Sequence, residues 1–412
     1  MRALKVWRRL LGVEGAAVED VNFDEEREAV VASVRPKRDL RNRCPHCRRR
    51  CGGYDAGDGR RQWRVLDLGV TRAYLEADAP RVWCPEHGVV VAMVPWARHD
   101  SGFTRDFEDE IAWLATHTDK TSVSGLMRIA WRTVGRIRER VGDEVAARVD
   151  RYANLRRIGI DEVSYRKGHR YITVVVDHDS GRLVWAYPGK DDAALEAFFD
   201  ALGPERAHRI ELVSCDAAAG YQAVVRRRCP QASVCIDPFH VVSWVTDALD
   251  GVRRQVWNEL RKGGHAALAR TLKRARFALW KNPEDLTEGQ ARKVSFIARA
   301  NRPLYRAYLL KEQLREVFKL RGDRGVELLD AWLAWACRSR LPSMVEAGRK
   351  IRRHRDGIVA ALRHGLTNAR VEALNTRLRL LTRLAFGFHS AAPLIALALF
   401  KFGGLCPGLP GR

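Results

Sequence analysis

The segment Ile158-Gly-Ile-Asp-Glu-Val163 gives the clearest indication of the fold. Its apolar positions predict a β-strand that ends in an acid, Asp161. Two β-rich runs follow at 171–176 and 182–187, and the segment between them, Asp177-His-Asp-Ser-Gly181, is rich in turn-forming residues. The sequence therefore predicts three strands joined by hairpins.

Helices and strands alternate after these hairpins. Helical patterns at 191–202 and 218–228 flank a strand that ends in Asp216, and a short strand follows at 233–236. The order βββαβαβ is that of a ribonuclease-H-like core. In such a core the first and fourth strands lie side by side, so Asp161 and Asp216 are expected to meet.

Paired acids at strand ends suit metal-dependent chemistry on nucleic acid. Phosphoryl transfer needs an activated nucleophile and a stabilised leaving oxygen, which two Mg²⁺ ions about 3.5–4 Å apart supply. Such hard ions prefer carboxylate ligands. A third acid should come from a helix, and Glu372 is the only acid after Asp356. We predict that Asp161, Asp216 and Glu372 are catalytic and bind magnesium (or manganese).

The helix that carries Glu372 begins near Thr367 and is amphipathic. One face holds apolar residues at helical spacing: Val371, Leu374, Leu378 and Leu381. The face with Glu372 holds two amides and a cation: Asn368, Asn375 and Arg379. A lone acid among such residues is a sensible setting for a metal ligand.

Three other acids compete with Asp161 for the first catalytic position. Asp177 and Asp179 belong to the predicted turn, where such residues usually have a structural role. Glu162 is expected to point off the opposite face of the strand, whereas Gly159 shares the Asp161 face and leaves room beside it.

Two short cysteine motifs predict a metal site nearer the N-terminus. Cys44-Pro-His-Cys47 and Cys84-Pro-Glu-His87 each present two ligands from one tight turn, as a tetrahedral ion requires. We predict that Cys44, Cys47, Cys84 and His87 form a closed structural Zn²⁺ site with no position left for catalysis. Cys51 and His46 are spare and could each replace a ligand. Buried thiols without metal are the alternative.

Residues 101–150 carry three helical patterns, and the third is strongly basic. The segment Thr121-Ser-Val-Ser124 can cap a short second helix. Apolar residues facing inward on the third helix are Val134, Ile137 and Val141. A short helix, a tight turn and a basic helix favour a helix-turn-helix that docks in the DNA major groove. The predicted DNA contacts are Arg128, Arg132, Thr133, Arg136 and Arg140. The alternative is a three-helix connector with a solvated basic face.

The charge balance predicts a polyanionic partner. Lys and Arg number 73 against 50 Asp and Glu, for a net charge of +23 spread along most of the chain. A solvated basic surface and contact with a membrane are the alternatives. No apolar run approaches the roughly 18 residues of a spanning helix, and clustered cysteines suit an intracellular metal site. We therefore expect a cytoplasmic, nucleoid-associated protein.

The segment from Val241 to about Gly365 has a helical pattern almost throughout and contains several tryptophans among many Arg and Lys. Those residues are Trp244, Trp257, Trp280, Trp332 and Trp335. They could stack on unpaired bases of DNA, but anchoring the core of a helical bundle is the favoured interpretation.

The order and spacing of these motifs resemble DDE transposases of the ISL-three family of bacterial insertion sequences, over nearly the whole chain. Further motifs that carry the resemblance are Leu126-Met-Arg-Ile-Ala-Trp-Arg-Thr-Val134, Val213-Ser-Cys-Asp216, Asp237-Pro-Phe-His240, Thr367-Asn-Ala-Arg-Val-Glu-Ala-Leu-Asn375 and Ala385-Phe-Gly-Phe388. The resemblance implies that Asp161, Asp216 and Glu372 are the DDE triad, and that the helical stretch between the last two acids is the insertion domain of the family.

The segment Asp237-Pro-Phe-His240 is similar to a D-x-x-H signature that follows the second catalytic acid in several DDE groups. His240 is thereby a candidate catalytic residue. The alternative is structural, since Asp237 is a natural N-cap, Pro238 a natural first helical residue, and His240 would then be a helix residue over the core.

Taken together, the sequence predicts a multidomain α+β protein. Its expected parts are a zinc-binding domain (1–100), a helix-turn-helix domain (101–150), and a ribonuclease-H-like α/β core (151–240 and 367–412) interrupted by an all-helical insertion (241–366). The expected function is to bind double-stranded DNA at the terminal inverted repeats of an insertion sequence, cut it and join it to target DNA, as a homodimer or larger complex. The alternatives are a DNA-binding regulator with an inactive nuclease-like domain, and a nuclease that never joins strands.

Overall fold

The computed structural model describes residues 2–217 and 219–411, and it divides into two compact units. The first unit holds the chain up to Asp150, Leu384–Phe386 and the segment from Gly404 onward. The second holds Arg151–Arg383 and Gly387–Gly403. Within the described ranges, no helix has both the length and the apolar character needed to cross a membrane.

The first unit contains two small sheets and four helices among its described residues. Its strands are β1 (Ala16–Asp24), β2 (Ala29–Pro36), β3 (Gly52–Asp55), β4 (Arg60–Arg64), β5 (Arg72–Asp78), β6 (Arg81–Cys84) and β7 (Gly88–Val91). Its helices are α1 (Arg2–Leu10), α2 (Arg105–Leu114), α3 (Lys120–Met127) and α4 (Trp131–Ala146). The strands are ordered β1-β2-β5-β4 in one sheet and β3-β6-β7 in the other.

The four-stranded sheet has an apolar core of its own. Along β5 the side chains alternate between buried and less buried, and Leu75 lies at the centre of the core. Trp63 and Trp96 pack edge to face in this core, with ring centroids 5.5 Å apart. Strand β1 carries acidic residues that dilute the alternation of apolar and polar side chains typical of a strand.

The three helices α2, α3 and α4 follow the predicted pattern. Val134, Ile137 and Val141 are buried on α4, as predicted. The cap of α3 differs from the prediction, because Asp119 rather than the Thr121–Ser124 segment occupies the N-cap and accepts from the backbone N–H groups of Thr121 and Ser122. A carboxylate there satisfies two amide groups that would otherwise lack partners.

The second unit is built on one mixed sheet. Its strands are β8 (Arg157–Arg166), β9 (Arg170–Asp177), β10 (Leu183–Pro188), β11 (Leu212–Cys215) and β12 (Ser233–Ile236), in the order β10-β9-β8-β11-β12. β9 is antiparallel to β8 and β10, whereas β11 is parallel to β8 and β12. The predicted adjacency of the first and fourth strands is confirmed.

Helices cover both faces of this sheet. The helices of this part are α5 (Asp192–Leu202), α6 (Pro204–Ala207), α7 (Ala219–Arg228), α16 (Ala369–Leu384) and α17 (Ala391–Phe402). Ile158 and Ile160 of β8 pack towards Phe198 of α5, and Val163 packs in a separate cluster with residues of α16 and α17. Alternate positions of β8 therefore face α5 and α7 on one side and α16 on the other.

The chain between β12 and α16 is helical, as predicted. Its helices are α8 (Pro238–Lys262), α9 (Ala266–Lys273), α10 (Arg276–Trp280), α11 (Glu288–Ala300), α12 (Arg302–Lys319), α13 (Asp323–Arg338), α14 (Pro342–Arg353) and α15 (Arg355–His364). They share an apolar core in which Trp332 is fully buried and donates from its Nε1 to the carbonyl of Leu310 at 2.7 Å. Trp244 and Trp335 pack against the same core, so these tryptophans are core anchors, as the favoured interpretation held.

Candidate functional site

Asp161 and Asp216 occupy matching levels of two adjacent parallel strands. Ser214 of β11 lies opposite Gly159 of β8, so the residues two positions further along each strand are the two acids. β11 ends just before Asp216, but β8 continues to Arg166 because it still pairs with β9. Asp161 is therefore within its strand and not at the predicted end of it. The two acids nonetheless share one edge of the parallel pair.

Gly159 allows α16 to pack directly on this part of the sheet. A Cβ at this position would lie 2.4 Å from Cγ2 of Val371 and 2.6 Å from Nε2 of His178. Distances this short exclude any larger residue unless the helix moves. The room that the sequence placed beside Asp161 is thus filled by the helix that carries Glu372.

Hydrogen bonds fix the first turns of α16 against the strands. The hydroxyl of Ser214 donates to Oδ1 of Asn368, whose own N–H donates to the carboxylate of Asp237 at 3.2 Å. Further along, Nδ2 of Asn375 donates to the carboxylate of Asp161 at 2.7 Å. Glu372 lies between these two asparagines on the helix, so its position is set by bonds on either side.

His240 lies among the acids rather than over the core. Its Nδ1 is 3.2 Å from a carboxylate oxygen of Asp237, and its Nε2 is 3.8 Å from one of Asp216. The hydrogen bond with Asp237 raises the pKa of His240, and the charges of Asp216 and Asp161 add to the effect. Asp237 stands at the N-cap of α8, but its side chain makes no capping bond. Asp237 and Pro238 thus occupy the helix-start positions of the structural interpretation, while His240 lies beside acids and its catalytic role stays a prediction.

The site holds more negative charge than its own residues neutralise. Burial raises the pKa of Asp161 and of Glu372, and neighbouring carboxylates raise both further. Among the described residues, Oδ1 of the buried Asn375 has no hydrogen-bond partner, although the same amide bonds Asp161. Several carboxylates with an unpartnered amide oxygen form a donor set that fits a hard divalent cation.

The local rivals of Asp161 have other partners. Asp179 pairs with Arg157 at the exposed turn, and Asp177 accepts from backbone N–H groups of that turn. Glu162 faces the other side of the sheet, where Tyr221 of α7 bonds it. The carboxylates of both turn acids are thus engaged by Arg157 or by the turn itself, whereas the carboxylate of Asp161 accepts from Asn375 of α16.

Three further residues of this site were not assigned from the sequence: His178, Ser214 and Asp237. His178 is buried, and its Nε2 lies 2.7 Å from the hydroxyl of Ser214. One signal could have found Ser214, because a residue two positions before a strand acid shares its face. His178 offered no such signal, since it lies in a turn whose polar residues look solvent-exposed.

The predicted zinc ligands form a compact group in the first unit. Sγ of Cys47 is 3.6 Å from Sγ of Cys84, and Nδ1 of His87 is 3.6 Å from Sγ of Cys84 and 3.7 Å from Sγ of Cys44. A tetrahedral zinc ion with bonds of about 2.3 Å to sulfur and 2.0–2.1 Å to nitrogen requires ligand separations of roughly 3.5–3.8 Å. The geometry of the four ligand atoms therefore fits zinc.

The spare candidates lie outside this group. Cys51 donates from its Sγ to the carbonyl of Arg49 at 3.4 Å, and His46 stacks on His87 with ring centroids 4.9 Å apart. The four ligand atoms of the group all lie within 4.8 Å of one another. Among the residues that the structure describes, no other three Cys, His, Asp or Glu side chains meet that distance, the acids beside α16 included.

The basic residues of the helix-turn-helix fall into two sets. Arg132 and Arg136 are exposed on α4, and neither forms an ion pair with any described residue. Arg140 instead pairs with the fully buried Glu108 of α2, and Arg128 pairs with Asp67. Of the arginines predicted to contact DNA, Arg140 and Arg128 are therefore engaged in ion pairs within the protein, and Arg140 helps to neutralise a buried carboxylate.

Comparison with known proteins matches three parts of the chain to family models. Residues 158–398, more than half of the chain, match a transposase model of the ISL3 type. Residues 92–142 match the helix-turn-helix domain of transposase family ISL3. Residues 41–87 match the zinc-finger of transposases IS204, IS1001, IS1096 and IS1165.

Two curated relatives cover nearly the whole chain. The transposase for insertion sequence element IS1557 from Mycobacterium tuberculosis is 53% identical over 100% of this chain and 98% of its own length. The transposase for insertion sequence element IS1001 from Bordetella parapertussis is 27% identical over 93% of this chain and 95% of its own length. On these matches, the chain belongs to the ISL3 family of transposases.

Proposed function

We propose that this protein mobilises an insertion sequence by a DDE mechanism. It binds the terminal inverted repeats of the element, cuts DNA there and joins the released 3′ ends to target DNA. The observation that carries the proposal is the convergence at one sheet edge of Asp161, Asp216 and the helix that bears Glu372. A homodimer or larger complex on paired ends accompanies this function.

The strand order supports a ribonuclease-H-like core that is interrupted by a helical insertion. The observation in its favour is the strand order β10-β9-β8-β11-β12, in which the first and fourth strands of the core are neighbours. The core comprises residues 151–240 and, of the expected 367–412, the parts that belong to the second unit (367–383 and 387–403), and the insertion comprises 241–366. Residues 1–100 and 101–150 form the zinc-binding and helix-turn-helix domains.

The carboxylates of Asp161, Asp216 and Glu372 would hold Mg²⁺ or Mn²⁺. When bound, such ions lower the pKa of a ligated water and stabilise a leaving oxygen. The residues around them orient the ligands. Asn375 fixes the carboxylate of Asp161 by its 2.7 Å bond, and an outer hydrogen bond of this kind usually changes metal affinity or activity by 10–100-fold.

His240 is suited to move a proton beside Asp216. Asp237 holds its Nδ1, which leaves Nε2 directed towards the Asp216 carboxylate 3.8 Å away. Because the hydrogen bond with Asp237 raises the pKa of His240, its protonated form is favoured and is suited to donate a proton to an oxygen at that position.

DNA recognition is proposed for the exposed part of α4, whose Arg132, Thr133 and Arg136 follow the turn of the motif. Arginines at the start of a recognition helix can contact phosphates or base edges. Arg128 and Arg140 have a different role, since their ion pairs orient the helices. The zinc site supplies structure alone, because its four ligands leave no open position.

A strand-transfer assay tests the proposal. A pre-cut duplex that carries the terminal repeat is incubated with target DNA, the full-length protein and Mg²⁺. Joined products are expected, and Asp161→Asn should reduce them by roughly 10³-fold or more. Asp179→Asn is the matched control, because it removes a nearby turn acid and should leave joining within about threefold of wild type. Cutting without joining would identify a nuclease, and joining that survives Asp161→Asn would overturn the assignment.

A further inference from the structure

A basic cavity of about 570 Å³ lies in the second unit, between α7, β12 and the junction of α14 with α15. Its lining includes Gln222, Arg226, Arg353, His354 and Asp356. None of these residues binds metal in the proposed mechanism, so the cavity has no role in the function as stated above.

The two arginines of the cavity lack carboxylate partners. Arg226 is exposed on the last turns of α7 and Arg353 on the end of α14, and neither forms an ion pair with any residue in the described ranges. This differs from their neighbours, because Arg227 and Arg228 pair with Glu196 and Arg355 pairs with Asp330. The arginines that line the cavity are thus available to an external anion.

The side chain of Gln222 and the start of α15 add hydrogen-bond donors to the cavity. Gln222 is 6% exposed, and within the described part of the chain its Nε2 has no hydrogen-bond partner. α15 begins at the cavity, and its N-cap residue His354 makes no capping bond from its side chain. The first N–H groups of a helix point away from it without partners and favour an anion there. A buried amide donor and an uncapped helix start are what a phosphate group requires.

The cavity adjoins the proposed catalytic centre. α7, which supplies Gln222 and Arg226, starts three residues after Asp216, and Asp216 is close enough to act electrostatically on His354. On its other side His354 packs on Trp244, one turn of α8 beyond His240, with ring centroids 5.5 Å apart. Lys350 lies 4.0 Å over the same tryptophan ring. Cationic and aromatic groups therefore extend from His240 towards the cavity.

We propose that this cavity binds a backbone phosphate of the DNA strand that lies at Asp216. Arg226 and Arg353 form charge-assisted bonds to the phosphate oxygens, and the start of α15 supplies N–H donors. Bound in this way, the strand is anchored beside the carboxylates, so the cavity positions the phosphodiester that is to be cut. The proposal rests on the proposed function for the identity of the ligand.

A double-mutant cycle tests this assignment on the full-length protein, with one change in the DNA and the other in the cavity arginines. The probe is a duplex that carries the terminal repeat, with single phosphates replaced in turn by neutral methylphosphonates around the cut. Binding is measured by fluorescence anisotropy in Mg²⁺-free buffer, where joining does not contribute. One position is expected to weaken wild-type binding by roughly tenfold, the effect of one charged hydrogen bond. The same replacement should have little effect on Arg226→Gln/Arg353→Gln.

Salt dependence and two further variants sharpen the result. DNA binding by the double variant should depend less steeply on salt: the magnitude of the negative slope of log K against log salt should fall by about 0.9, as loss of one phosphate contact does. Arg352→Gln is the matched control, because Arg352 is an exposed neighbour outside the lining, and it should retain the wild-type cycle. Asp356→Asn should act in the opposite direction and tighten binding, since it removes the acid of the lining.

Three outcomes would overturn the proposal. In the first, every methylphosphonate weakens DNA binding of the wild type and the double variant equally. In the second, Arg352→Gln has the same effect as the double variant. In the third, inorganic phosphate binds the cavity but no phosphate position of the DNA couples to the cavity arginines. Failure of the proposed function would be recognised separately. It would abolish strand joining but leave the coupling between the phosphate replacement and the arginine substitutions unchanged. Equal melting temperatures of the variants, expected for exposed arginines, would confirm that each protein is folded.

Discussion

The zinc-type cluster and the carboxylate site are both candidate metal centres, but they are assembled in different ways. In the cluster, two tight turns bring four ligand atoms within 4.8 Å of one another. In the carboxylate site, Asp161 and Asp216 come from neighbouring strands and Glu372 from a helix far along the chain. The first arrangement depends on local spacing, and the second depends on the fold of the whole second unit.

The two sites obtain their stability from different sources. Strand β3 is exposed along its length and β7 contains no buried residue, so bound metal should contribute much of the folding free energy of this small sheet. The carboxylates are held by protein contacts instead: Val371 against Gly159, Asn375 on Asp161, and Ser214 on Asn368. One site should therefore need its metal to fold, and the other should be ordered before metal binds.

Loss of zinc should produce the largest effect. Cys84→Ser removes a ligand from a closed site, and binding free energies of such sites are about 10–16 kcal/mol. We expect amides of β3, β6 and β7 to lose their protection from hydrogen exchange, while amides of β8 and β11 keep theirs. Exchange measured by mass spectrometry, with the zinc content of the purified protein, checks both halves of the comparison.

Cys51→Ser is the matched control for this variant. The chemical change is the same, but Cys51 lies outside the four-atom group, so zinc content and exchange should match wild type. If Cys51→Ser behaves like Cys84→Ser, then Cys51 is a ligand and the group is wrongly assigned.

Gly159→Ala should have the next largest effect. The added Cβ would lie 2.4 Å from Val371 and 2.6 Å from His178, and overpacking of this kind costs typically about 1–3 kcal/mol. Urea unfolding should show that loss, and strand joining should fall with it because α16 carries Glu372. The double variant Gly159→Ala/Val371→Ala should cost less than the sum of the single changes.

Strict additivity in that cycle would contradict direct packing of α16 on β8. Gly181→Ala offers no useful control, because its φ of 72° would itself strain an alanine. Gly102 is better suited, since a Cβ there has no atom within 4 Å, and Gly102→Ala should leave stability within about 0.5 kcal/mol of wild type.

Asn375→Ala should reduce strand joining by roughly 10–100-fold, as loss of an outer hydrogen bond to a metal ligand commonly does. Asn375 is a positioning residue, so the Mg²⁺ concentration for half-maximal activity should rise as well, which a purely structural role would not produce. Thr376→Ala is the control on the next position of α16, where the hydroxyl bonds only the carbonyl of Glu372. Unchanged Mg²⁺ dependence in Asn375→Ala would separate this asparagine from the metal ligands.

The sequence predicted those features whose signal lies within a few residues. The Cys-x-x-Cys and Cys-x-x-His spacings identified the zinc ligands, and the βββαβαβ order identified the neighbouring strands. Glu372 is predicted as the third acid because its helix contains no other acid, and its role stays a prediction. The helical stretch after β12 and the buried face of α16 were predicted from periodicity alone.

The features that were missed depend on contacts between distant residues. Arg140 looked like a surface arginine until α2 brought the buried Glu108 to it. Asp237 looked like a helix cap, but its carboxylate accepts from Asn368 and interacts with His240. The core of the four-stranded sheet was not predicted, because β1 is acidic and because β2 and its partner β5 are separated in sequence by the segment that contains Cys44 and Cys47. Such pairings carry no local pattern.

His178 should produce the smallest effect, and it appears as a dependence of stability on pH. Burial lowers the pKa of His178 to about 4, and the charge of Arg370 contributes. In the unfolded chain its pKa is about 6.5, so between these values the unfolded state binds more protons. Stability contributed by the neutral imidazole is then fully present above pH 6.5 and is lost as the pH falls towards 4. Urea unfolding at pH 7 and pH 5 should differ by about 1–2 kcal/mol more in wild type than in His178→Gln.

The pH dependence of His178 also tests whether protein contacts order the carboxylate site. If the carboxylate site is ordered by protein contacts, then the bond of His178 to Ser214 belongs to the support of α16, and protonation of His178 should loosen that helix. Glutamine keeps a donor for Ser214 without titrating, so His178→Gln should preserve protection of α16 amides at pH 5. His169→Gln changes an exposed histidine instead and should behave as wild type. An equal pH dependence in all three proteins would mean that the buried imidazole does not couple to α16, and the carboxylate site would then need another source of its order.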